Sequence, residues 1–62
     1  MDVSGLTAEQ IGKATYRQGL ANIELENWDS AQDNLETAMR YVPGDVAIQR
    51  ALVDLEARRG SG

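Results

Sequence analysis

Between Trp28 and Val42 the apolar residues Trp28, Ala31, Leu35, Ala38 and Val42 recur at offsets of 3, 7, 10 and 14, and Pro43-Gly44 follows at once. That recurrence is helical and places all five side chains on one stripe. Proline then ends the segment, because it lacks an amide donor and disfavours helical backbone at the residue before it. Such a helix must bury its stripe against something, and this chain has few means of doing so. It has 62 residues and no cysteine or histidine, so neither a disulfide nor a zinc cluster is available as a staple. A chain of this size buries only about 60% of its unfolded surface. Apolar residues make up 42%, with Tyr16, Trp28 and Tyr41 the only aromatics. One small domain that leans on neighbours is the expectation.

Two further segments read as helices. Thr7-Ala8-Glu9-Gln10 has the form of a capping box, in which the Thr7 hydroxyl and the Gln10 amide side chain satisfy each other's backbone N–H groups. Ile11, Ala14, Ala21 and Leu25 fall on one stripe after it, with Leu20 and Ile23 at the edge and Gln18 and Asn22 interrupting. Asn27 and Asp45 are candidate N-caps of the second and third helices. Ile48, Ala51, Leu52 and Leu55 supply the i, i+3, i+4, i+7 pattern of the third. Glu36–Arg40 and Asp54–Arg58 are i,i+4 pairs, and Arg58 and Arg59 sit where a helix C-terminus favours cations. No strand alternation competes. The expected fold is all-α, with antiparallel helices over about 7–26, 28–42 and 45–59. Residues 1–6 are expected to be a flexible N-terminus, and 60–62 a flexible tail or linker.

Gly19, Ala31, Leu35, Ala38 and Pro43 are spaced by 12, 4, 3 and 5 residues. This spacing resembles the tetratricopeptide repeat, a 34-residue helix-turn-helix unit. The resemblance covers about residues 12–45 and makes the third segment a capping or following helix. In that reading Gly19 and Ala31 let two helices approach, Leu35 fills between them, and Ala38 admits the next helix. Thr15, Gln18 and Asn22 stand where the family usually has Trp, Leu and Tyr. The run Lys13-Ala14-Thr15-Tyr16-Arg17-Gln18-Gly19 is similar to the opening of the third repeat in immunophilin-type cochaperones. Three repeats of those proteins clamp the acidic Glu-Glu-Val-Asp tails of heat-shock chaperones. The resemblance implies a carboxylate-binding role for Lys13 and Arg17, whose i,i+4 spacing puts both on one helix face. The clamp positions of the other two repeats fall outside this chain.

Plainer readings exist for the same residues. Lys13 and Arg17 also fit a solvated basic stretch. Trp28 and Tyr16 fit packing as well as peptide contact, and Met39 and Tyr41 fit contacts to the third helix or to a neighbouring repeat. Trp28, Met39, Tyr41, Ile48, Leu52 and Leu55 are the interface candidates. Glu24, Glu26, Asp29 and Asp33 lack the spacing of a calcium loop and read as a solvated face; Asp54, Glu56, Arg58 and Arg59 read as a surface charge ladder.

Composition narrows function. Six basic residues against ten acidic give a net charge of -4, which argues against a general nucleic-acid or anionic-membrane binder. No apolar run approaches a membrane span, and the N-terminus lacks the layout of a signal peptide. Ser4, Ser30 and Ser61 have no histidine to activate them, and no Gly-rich phosphate loop is present. The expectation is a non-enzymatic protein-interaction module with no metal or cofactor and a cytoplasmic location. Its partner would be an acidic chaperone peptide, alongside flanking repeats or further copies of the chain. The alternatives are an engineered helical scaffold that self-associates and an adaptor resembling the mitochondrial-fission repeat proteins.

Overall fold

The computed structural model describes residues 7–60, so the expectations for residues 1–6, Ser61 and Gly62 lie outside the described residues. Three helices follow in order: α1 (Ala8–Glu24), α2 (Trp28–Tyr41) and α3 (Val46–Gly60). The chain is all-α, a helix-turn-helix of tetratricopeptide-repeat type followed by a third helix.

Local hydrogen bonds account for most of the boundaries. At the start of α1 the Gln10 N–H donates to Thr7 Oγ1 and the Thr7 N–H donates to Gln10 Oε1, both at 3.1 Å, so the capping box is complete. At the start of α3 the Ala47 N–H donates to Asp45 Oδ1 at 2.9 Å. Asn27 occupies the N-cap position of α2, but its side chain makes no capping bond there. Val42 leaves the helix with φ -135° and ψ 72°, so α2 ends one residue short of the expected boundary. The clash between Pro43 and its predecessor is the reason. Gly60 belongs to α3 rather than to a tail.

The first helix ends at Glu24, two residues early, because Glu26 has φ 62°. The Asn27 N–H donates to the Asn22 carbonyl at 2.8 Å and the Glu26 N–H to the Ile23 carbonyl at 3.0 Å, the paired bonds of a Schellman cap. That motif needs a left-handed residue, a position usually taken by glycine. A side chain there costs about 1–2 kcal/mol. Glu26→Gly is therefore expected to raise stability by about 1 kcal/mol, readable as a higher urea midpoint at unchanged m-value. No gain would mean that Glu26 makes a compensating interaction in the native state.

Packing sets α1 antiparallel to α2, since Gly12 lies against Val42 and Tyr41, Gly19 against Leu35, and Asn22 bonds Asn34. Ala31, Leu35, Ala38 and Leu55 are wholly buried, and Ile23, Ile48 and Ala51 nearly so. Ile23, Ala31, Leu35, Ala51 and Leu55 form the central cluster, with Tyr16, Trp28 and Leu52 packed around it. α2 is the middle helix: α1 and α3 each pack mainly on it and touch one another little.

One expectation about α1 is corrected. Of the stripe Ile11, Ala14, Ala21 and Leu25, only Ile11 is even half-buried, and Leu25 is 69% exposed. Leu20 is exposed as well, whereas Ile23 is buried. The inward face is instead Gly12, Gly19 and Ile23, with Thr15, Tyr16 and Asn22 beside them. Two glycines bring the helix axes close, and that approach outweighs the weak apolar stripe. The polar residues on this face are satisfied. Thr15 Oγ1 donates to the Ile11 carbonyl at 2.8 Å, and Asn22 Nδ2 donates to Asn34 Oδ1 at 2.7 Å.

Candidate functional site

The candidate site is the outer face of α1. Lys13 and Arg17 are one helical turn apart and both exposed, while Tyr16 between them turns inward onto the core cluster. The Lys13 ammonium lies 3.9 Å from Glu9 Oε2, and the two side chains retain 63% and 69% of their accessible surface. An exposed pair at that distance contributes little, so the ammonium remains open to an anion. Arg17 has no hydrogen-bond or ion-pair partner among the described residues. Geometrically this is a shallow two-point cation site. It offers the forked donors of a guanidinium and the point charge of an ammonium on adjacent turns.

The other singled-out residues fall into two groups. Ile48 and Leu55 are buried between α2 and α3, which removes both from the surface as interface candidates. Theirs is the stripe that α3 lays on α2, so the fold consumes it. Trp28 and Leu52 are half-buried against the core, Met39 is half-buried, and Tyr41 is 42% exposed. Gly19, Ala31, Leu35 and Ala38 are buried, and Pro43 lies exposed in the α2–α3 link. Among the described residues no group of three or more acidic side chains converges to hold a metal ion. No described helix is long and apolar enough to cross a membrane.

Two polar links escaped the sequence pattern. Arg59 Nη2 lies 3.6 Å from Asp29 Oδ1, and Arg59 Nη1 donates to Gln32 Oε1, tying the end of α3 to the start of α2. Asp54–Arg58 forms as expected, at 2.9 Å, whereas Glu36 accepts from Gln32 Nε2 at 3.0 Å instead of pairing with Arg40. Arg59 and its α2 partners are far apart in sequence, so no local spacing signals the first link. The Asn22–Asn34 bond is hidden for the same reason. An open groove of ≈ 500 Å³ lies beside Arg59, lined by Glu26, Asn27, Trp28, Asp29 and Ser30. Lys13 and Arg17 do not line it.

Comparison with known proteins finds similarity to peptidyl-prolyl isomerases. The chain is 34% identical over 59 residues to peptidyl-prolyl cis-trans isomerase D of Cryptococcus neoformans, a match that takes in 95% of this chain and 16% of the relative. It is 46% identical over 44 residues to peptidyl-prolyl cis-trans isomerase FKBP42 of Arabidopsis thaliana, covering 71% of this chain and 12% of that one. Peptidyl-prolyl cis-trans isomerase D of Eremothecium gossypii matches at 44% over 45 residues, 73% and 12% of the two chains. The chain thus spans about a sixth or less of the curated relatives it matches. No family model matches it, and no solved structure does. The relatives are immunophilin-type proteins, and the part of them that it resembles corresponds here to a helical unit.

Proposed function

We propose that this chain is a non-enzymatic protein-interaction module whose α1 face contributes to holding the carboxylate end of an acidic peptide, of the Glu-Glu-Val-Asp type carried by heat-shock chaperones. The observation that carries the reading is the pair Lys13 and Arg17, exposed one turn apart with Arg17 unengaged. The similarity to immunophilin-type proteins supports a protein partner. The isomerase activity in the relatives' names belongs to those proteins. This chain matches only 12–16% of them, and its sequence has no histidine or cysteine. The core shared by the three helices supplies the scaffold, and α1 supplies the charges.

Titration with a free Glu-Glu-Val-Asp peptide, followed by chemical shifts on α1, tests the reading. Weak binding is expected that declines as salt screens the charges. Lys13→Ala and Arg17→Ala should each weaken it roughly tenfold, the loss of one charge-assisted bond. Absence of any shift at millimolar peptide, or binding unchanged in both variants, would remove the carboxylate role from this chain.

A further inference from the structure

The outer face of α3 carries a pattern that neither the core nor the peptide site uses. Val46 and Val53 are 59% and 69% exposed, and with Gln49, Arg50, Asp54 and Ala57 they line an open, largely apolar groove. Val46, Arg50, Val53 and Ala57 are spaced 4, 3 and 4 residues apart, which is the seam spacing of a helix that pairs with another. Arg50 sits in the middle of this seam with no ion-pair or hydrogen-bond partner among the described residues. Asp54 lies one turn on, and its pair with Arg58 leaves it 54% exposed.

We infer that this face binds a second copy of the same chain, with the two α3 helices antiparallel across a twofold axis. Charge decides both the occupant and the direction. A twofold interface is self-complementary, so each residue that meets another is met by it in return. In the antiparallel arrangement each Arg50 reaches the other copy's Asp54, which makes two equivalent ion pairs. The same register sets each Val46 beside the other copy's Ala57 and each Val53 beside the stem of the other copy's Arg50, with the two Val53 side chains on either side of the axis. A parallel pair would put Arg50 against Arg50 and Asp54 against Asp54, and is disfavoured by like-charge contact. The valines supply apolar contact and the ion pairs fix the register. Lys13 and Arg17 stand on a different helix and take no part.

The interface is modest. A helix of 15 residues is about 22 Å long at 1.5 Å per residue. One such pair buries less than the ~1,200 Å² at the lower end of stable complexes, so the dimer is a weak one that forms at high micromolar concentration. Sedimentation equilibrium from tens of micromolar to about 1 mM, in low salt, reads it directly. The expected result is a mass rising towards twice that of the monomer, with association weakened roughly tenfold in Arg50→Glu. The double variant Arg50→Glu/Asp54→Arg restores it, because the pair is re-formed with its signs exchanged. Circular dichroism on each variant separates lost association from lost folding, since both positions are exposed. A monomer throughout the range overturns the inference. So does association that is indifferent to Arg50→Glu, which would place the contact on another surface such as the exposed Leu20 and Leu25 of α1.

Discussion

Leu35→Ala is expected to destabilise the protein by about 2–5 kcal/mol, the cost of removing a buried leucine and leaving a cavity. Leu35 is 0% exposed and lies where the three helices meet, against Gly19 on one side and in the same cluster as Ala51 and Leu55 on the other. At 0.05–0.15 kcal/mol per residue, a chain this short has roughly 3–9 kcal/mol of total stability. The substitution therefore removes a large share of it and should leave a substantial unfolded fraction at room temperature. Urea unfolding followed by far-ultraviolet circular dichroism measures the loss. A change below about 1 kcal/mol would contradict the central position assigned to Leu35.

Gly19→Val should be the second severe substitution, with an expected loss of about 1–3 kcal/mol from overpacking. Glycine inside a helix ordinarily weakens it by about 1 kcal/mol relative to alanine, so on propensity alone almost any replacement at Gly19 should help. The tertiary contact reverses the sign. A Cβ at this position would lie 2.7 Å from Leu35 Cδ2 and 2.8 Å from its Cγ, and Leu35 is enclosed and cannot withdraw. Gly60 provides the contrast, since a Cβ there meets nothing within 4 Å. Gly60→Ala should be neutral to slightly stabilising. Combining Gly19→Val with Leu35→Ala should cost less than the sum of the two, because the valine fills part of the space that leucine vacates. Strict additivity would show that the two residues do not touch.

These two positions also mark how far the sequence could be read. Leu35 belongs to a 3.6-residue apolar pattern, and its burial follows from counting. Thr7 with Gln10, Asp45 before Val46, and Pro43 after Val42 likewise announce helix ends, because each signal acts through hydrogen bonds or contacts a few residues away. The candidate cations Lys13 and Arg17 were equally legible, since their spacing on α1 places them on one face. The apolar stripe of Ile48 and Leu55 is equally visible, but whether it meets a partner or α2 depends on how α3 folds back.

Glu26 and the inward face of α1 were not legible. A left-handed residue ends α1 early, and a glutamate gives no hint of it because the side chain normally disfavours that conformation. The inward face of α1 escapes a sequence reading for a different reason. A count of apolar side chains favours Ala14, Ala21 and Leu25, and glycine registers in it as nothing. In a packed helix pair the absent side chain is what matters, because it decides how close the axes can come.

The sequence by itself determined the number, order and approximate limits of the three helices, the amphipathic face of α2, and the cation pair on α1. All of these rest on forces that act over one or two turns. Only the tertiary structure decided which side of α1 meets α2, that Asn22 bonds Asn34, and that Arg59 ties α3 back to Asp29 and Gln32. It also decided that Val46, Arg50 and Val53 face outward together. The physical reason is close packing between helices, at Gly12 and Gly19 for α1 on α2 and at Ile48, Ala51 and Leu55 for α3, which no count along one segment reports.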